Sequence, residues 1–150
     1  MPVEENIRVM KRWFQEVWNE GKLQTIHDLF HPDGVAIGQA GPQAEIRGPE
    51  AFGRFVQSIR GAFPDIRLVV EDAFGQDDKV AVRWSATMTH RGDDLGTPAT
   101  GKPVRITGTT IVRMRNGQVV EGWDNWDQMA MLQQIGAYEA PPAMSLPKSA

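Results

Sequence analysis

Cysteine is absent from the chain, which excludes both a disulfide framework and a thiolate metal site. Long apolar runs are missing too. None approaches the roughly 20 residues needed to span a bilayer, and the N-terminal stretch Met1 to Trp13 carries charges where a secretory signal needs an apolar segment. A soluble, cytoplasmic protein without a membrane partner is the expectation. The 16 Lys and Arg residues are interspersed with 19 Asp and Glu, giving a formal net charge of -3 and no basic run. The footprint of a nucleic-acid binder is therefore lacking. No Gly-rich phosphate loop, serine nucleophile elbow or Cys–His pair occurs. His27 and His31 have the spacing of a helical ligand pair, but no carboxylate completes a recognisable set. Neither metal nor other cofactor is expected.

What is present suits one domain: 150 residues, 41% of them hydrophobic, build a single core. Residues 1–136 are read as that domain and 137–150, rich in Pro, Ala and Ser, as a mobile or surface-draped tail. Ile7, Met10, Trp13, Phe14, Val17 and Trp18 recur at helical spacing over residues 4–19, and Gly21 ends the run. A second short helix follows through Leu23, Ile26, Leu29 and Phe30, stopped by Pro32 and Gly34. Residues 35–47 read as irregular, with Val35 to Ile37 as a short strand. Pro49 then opens a third helix carrying Phe52, Phe55, Val56 and Ile59.

After Pro64 the period becomes two. Ile66 to Val70, Val80 to His90, Val104 to Met114 and Val119 to Trp126 alternate as strands, with Asn116-Gly117 as a hairpin turn between the last two. Helices followed by antiparallel strands make an α+β domain. Val82, Trp84, Ile106, Val112 and Trp123 are expected in its core.

Few residues on this frame carry chemistry. His90 shares a strand face with Trp84, Ala86 and Met88, and is either a hydrogen-bonded strand-end residue or part of a site with the loop Arg91 to Lys102 that follows. Asp124 stands between Trp123 and Trp126, where apolar surroundings raise a carboxyl pKa. Asp127 is placed to cap the helical turn Gln128 to Gln134. His31 is either a helix-end residue or a polar group on a pocket rim, and Trp18 is either core or a cavity mouth.

Four motifs add a resemblance: His-x-Gly at His90, Gly-x-Pro-x-Thr-Gly-Lys at Gly96, Asn-Gly-x-Val-x-Glu-x-Trp at Asn116 and Leu-x-Gln-x-Gly at Leu132. With Trp18-Asn19-x-Gly21, Phe30 to Asp33 and Gly48-Pro49 they resemble the SnoaL-like polyketide cyclases of the NTF2-like superfamily over residues 5–136. That resemblance implies an NTF2-like cone, in which three N-terminal helices cover a strongly curved, mainly antiparallel sheet enclosing a ligand cavity. It also implies homo-oligomers and cofactor-free aldol ring closure with an aspartate as general acid/base. Matching Gly117 to Gly136 without gaps puts that acid on Asp124. In the cyclases a histidine on the preceding strand pairs with the acid, whereas this chain has Thr110 there.

The expected reaction is therefore ring closure of an aromatic polyketide or related carbonyl compound. Asp124 supplies the proton, His90 and Asp127 are further catalytic candidates, and Trp18, Trp84, Trp123 and Trp126 form flat walls with His31 and Thr110 as polar contacts. Two alternatives stand beside it. One is an isomerase of the ketosteroid type or an epoxide hydrolase of the limonene type, for which Arg113 would have to face inward with Asp124 or Asp127. The other is a non-catalytic domain that binds a small molecule. A homodimer or dimer-based assembly is expected, because a curved sheet leaves one face without helices.

Overall fold

The helical spacing of the N-terminal segment winds α1 over Val3–Trp13, and the rod continues through wider π-helical turns over Phe14–Asn19. The structure, a computed structural model, describes residues 2–139, so the expected tail lies outside the described residues from 140 onward. The sequence pattern predicts one uniform helix here. The widened turns keep Phe14, Val17 and Trp18 buried on the same side. Next come α2 (Leu23–Leu29), β1 (Phe30–Ile37), β2 (Glu45–Arg47) and α3 (Gly48–Ala62). The strands β3 (Arg67–Gln76), β4 (Lys79–Thr89), β5 (Pro103–Arg115) and β6 (Gln118–Trp126) follow, and α4 (Gln128–Gln134) closes the series.

All six strands form one sheet in the order β2-β1-β6-β5-β4-β3. The pairs from β3 to β6 are antiparallel, β1 lies parallel to β6, and β2 adds an antiparallel edge. Two elements differ from the sequence reading. β1 begins at Phe30 although Pro32, Asp33 and Gly34 break any strand pattern, because its pairing with β6 skips from Phe30 to Val35 and lets the breakers bulge out. β2 lies in the stretch read as irregular, since three residues give too little alternation to detect.

One face of the sheet packs on α1, its π-helical extension and α3. Trp13, Phe30 and Phe52 meet there with ring centroids 5.2 to 6.0 Å apart. Val82, Trp84, Ile106 and Val112 are buried as expected. Trp123 is not. It sits half-buried on the opposite face, because alternation tells which residues share a face and not which face is covered. Among the described residues no helix is long and apolar enough to cross a membrane.

Two side-chain amides close backbone that the sheet leaves unpaired. On the edge strand β3, the Asn19 amide donates to the Leu68 carbonyl at 3.0 Å and accepts from the Leu68 N–H at 2.7 Å. Gln134 does the same for Arg105, at 2.9 and 2.8 Å, where β5 runs past the end of β6. Asn19 thus pins the end of the first helix, and with it Trp18, to the sheet. Replacing Asn19 by alanine strands both Leu68 groups, and unfolding in urea is expected to show a loss on the order of 2 kcal/mol. An unchanged midpoint would show that water replaces the amide without cost.

Candidate active site

Alternation on β6 puts Gly122 and Asp124 on the covered side of the sheet, and the β5–β6 register sets Asp124 directly opposite Thr110. Both are buried, at 8% and 6% exposure. The Thr110 hydroxyl donates a short hydrogen bond to Asp124 Oδ1 and accepts one from the Trp84 indole Nε1 at 3.0 Å. Trp84 can lie there because residue 108, its partner across the β4–β5 pair, is glycine: a Cβ at that position would stand 2.3 Å from the indole Cζ2. Gly38 plays the matching part below β6. With φ at +94° and a would-be Cβ 2.2 Å from the Asp124 carbonyl oxygen, it lets the chain after β1 cross directly over Asp124.

That crossing delivers Gln39, whose side-chain amide favours the ionised form of Asp124. The Gln39 backbone carbonyl also accepts from Trp126 Nε1 at 2.9 Å and from the Gln128 amide at 3.1 Å. Gln39 is the polar site residue that the sequence reading missed, along with apolar walls such as Phe14, Phe55 and Phe63. It belongs to a loop without periodicity, and its nearness to Asp124 exists only through the pairing of β1 with β6.

Asp124, Thr110 and Gln39 form the polar end of a cavity whose other walls are apolar, among them Phe14, Trp18, Phe55, Phe63, Trp84 and Trp126. The cavity has a volume of about 40 Å³. The passage is narrow and lined by rings. Burial in these surroundings pushes the Asp124 carboxyl up to about 6, against the opposing pull of the Thr110 hydroxyl and the Gln39 amide. Desolvation wins because Asp124 is the only ionisable side chain among the described residues that line the cavity.

The remaining candidates lie elsewhere. His90 is fully buried at the end of β4, stacked near Phe63 with centroids 5.5 Å apart, and its Nδ1 is 3.0 Å from the Thr100 hydroxyl. It does not line the cavity. Asp127 is exposed and accepts from the Ala130 N–H at 3.0 Å as the N-cap of α4. His31 lies on the irregular part of β1, where its Nδ1 accepts from the Asp33 N–H at 3.0 Å. Trp123 faces the outer side of the sheet and does not line this cavity. Arg113 is on that outer side as well, with its Nε 2.9 Å from the Glu121 carboxylate. An inward Asp/Arg/Asp set of the epoxide-hydrolase kind is thus not assembled.

The open sheet wrapped by helices has the ketosteroid-isomerase-like fold, and its ring-lined cavity holds one desolvated carboxyl. Within that class the chain belongs to the SnoaL-like polyketide cyclase family, whose model matches residues 8–135. It is 27% identical over 124 residues to the aklanonic acid methyl ester cyclase DnrD of Streptomyces peucetius, covering 81% of this chain and 84% of that one. A solved structure from Jannaschia sp. CCS1, provisionally assigned as a SnoaL-like polyketide cyclase, superposes with a TM-score of 0.82 at 25% identity, covering 93% of this chain and 97% of that one. IdmH of Streptomyces antibioticus, also provisionally assigned as a polyketide cyclase, gives 0.75 at 32% identity, with 87% and 98% covered.

The raised carboxyl has a consequence for stability. Asp124 titrates near 6 in the folded chain against an ordinary 3.8, so between those values the unfolded chain ionises while the native chain holds its proton. Stability therefore falls as pH rises from about 4 to 6, by roughly 3 kcal/mol at most, and stays level above. Asp124→Asn lacks this dependence. Its stability relative to the parent protein should climb across the same window in urea titrations, whereas a constant difference would mean that Asp124 is not desolvated.

Proposed function

We propose that the chain catalyses cofactor-free intramolecular aldol ring closure of a neutral, largely aromatic polyketide or a related carbonyl compound. The observation that carries this reading is one buried, raised carboxyl at the polar end of a largely apolar, ring-lined cavity. An aldol closure is an isomerisation. A C–H proton is removed, the carbanion attacks a ketone to form a C–C bond, and the resulting alkoxide takes up a proton. No electrons leave or enter, so one carboxyl can serve twice. With a value of about 6, Asp124 is mostly carboxylate at pH 7 and acts first as base. As a carboxylic acid it then returns the proton to oxygen. The aromatic walls hold the flexible chain so that the two carbons meet, which is the entropic part of the acceleration. Ketosteroid-type isomerisation would use the same first half of this cycle. Closure is favoured because no second ionisable group lines the cavity among the described residues to stabilise a long-lived dienolate.

The two aspartates separate catalysis from architecture. On a polyketide β-keto ester, Asp124→Asn should lower kcat/KM by about 100-fold or more without loss of fold. Asp127→Asn should be nearly silent, and Asp127→Ala should cost about 1 kcal/mol. For the parent protein kcat/KM should rise with pH up to about 6 and then level off, because the base is the ionised form. Turnover unaffected in Asp124→Asn would favour a binding domain.

A homodimer belongs to the same reading. Phe74, Ala81, Ile111, Trp123 and Ile37 are successive cross-strand partners and form an apolar row across five strands of the face without helices. Phe74 and Ile111 are 65% and 41% exposed. A second copy packing row against row would cover them. Light scattering should give twice the chain mass at micromolar concentration, and Ile111→Glu should return the monomer. A monomeric parent protein would overturn the assignment.

A further inference from the structure

The acid/base reading leaves open which of the two carboxyl oxygens handles the proton. We propose that Trp84 and Thr110 act as positioning residues that keep Asp124 Oδ1 a permanent hydrogen-bond acceptor and reserve Oδ2 for proton transfer. The inference rests on the proposed acid/base role of Asp124 for its function, but its geometry stands independently.

An indole N–H can only donate. Trp84 Nε1 donates to Thr110 Oγ1 at 3.0 Å, so one lone pair of the hydroxyl is occupied and its single proton must find an acceptor elsewhere. The acceptor is Asp124 Oδ1. If Oδ1 carried a proton and turned it toward Thr110, the hydroxyl would face two donors. Its own proton would then point into an apolar cavity, and an unsatisfied buried donor is costly. The acid form therefore keeps Oδ1 as carbonyl oxygen, and the proton goes to Oδ2.

Burial and register hold the arrangement, and the uncharged Gln39 amide also meets Asp124. Trp84 is 7% exposed and bedded on Gly108, while cross-strand register places Gly108 opposite Trp126 and Thr110 opposite Asp124. No other ionisable group faces this carboxyl from the cavity among the described residues. Glu121 is paired with Arg113 on the outer side of the sheet, and Asp127 is exposed at the start of α4. The donation from Trp84 also polarises the Thr110 O–H, making it a stronger donor to the carboxylate.

A consequence for the substrate follows. One oxygen both removes the C–H proton and returns it to the alkoxide, so the reacting C–H and the ketone oxygen must reach Oδ2 from the same side. The bond formed is the new C–C bond, the bond broken is the C–H bond together with the ketone π bond, and the proton ends on oxygen with Asp124 restored.

The test is the titration of the Asp124 carboxyl carbon by NMR in protein labelled with 13C-aspartate, the resonance being assigned by its loss in Asp124→Asn. Thr110→Val removes the donor at nearly constant volume and should raise the midpoint by about 1. Trp84→Phe leaves a smaller aromatic ring without the N–H and should raise it by about 0.5. Thr110→Ser retains the hydroxyl and should leave it in place, and the acid limb of kcat/KM should follow the midpoint in every variant. In the unaltered protein the Trp84 Nε1–H resonance should keep its hydrogen-bonded position throughout the titration, which keeps the test available if Trp84→Phe does not fold. Unmoved midpoints in Thr110→Val and Trp84→Phe, a serine variant shifted as far as valine, or a Trp84 resonance that moves on protonation would each overturn the proposal. Shifted midpoints in a protein that turns over no ketone would instead refute the cyclase reading and leave the proton assignment standing.

Discussion

The hydrogen bond from Thr110 to Asp124, backed by the Trp84 indole, is the contact on which the site depends, because it holds a carboxylate where water is scarce. A buried charge without partners would neutralise or open the structure. Here it has a hydroxyl donor at one oxygen, an amide nearby and rings around it, and the balance leaves it titrating near neutrality. The surrounding structure reads as a set of conditions for that contact. The β5–β6 register aligns the pair, Gly108 admits the indole, and Gly38 lets the loop bearing Gln39 pass over the strand.

Keeping such a group ionised at neutral pH destabilises the fold, and the rest of the chain offsets it away from the site. The Trp13, Phe30 and Phe52 cluster fills the space between helices and sheet, where packing and burial of large rings contribute most. Asn19 and Gln134 satisfy backbone groups at the open edges of β3 and β5, and Asp127 caps α4. These devices also aim cavity walls. Asn19 follows Trp18, and α4 carries Met131 into the lining. Stability and site geometry therefore share residues, so substitutions at the clamps should disturb both.

The resemblance to SnoaL-like cyclases implies a histidine across from the acid, where this chain has Thr110. A histidine can exchange a proton with the acid, while a threonine held by an indole can only donate to it. In the proposed cycle, both proton transfers therefore fall to the single carboxyl of Asp124. Burial dominates its titration because neither Thr110 nor Gln39 brings a positive charge to it.

Period and punctuation determined much of this protein before any contact was known. Alternation from Val80 to Trp126, the Asn116-Gly117 turn and the cap at Asp127 arise from steric and hydrogen-bonding preferences that act within a few residues. The aspartate among tryptophans was legible for the same reason. Tertiary structure alone decided which sheet face the helices would cover, and so it sent Asp124, Thr110 and Trp84 inward while Trp123 and Arg113 went out. It also decided that Gln39 would lie beside Asp124, across 85 residues of chain, and that His90 would stay outside the cavity. Local preferences can choose a strand and its turn, but not its cover. That choice depends on burying the most apolar area over the whole chain at once.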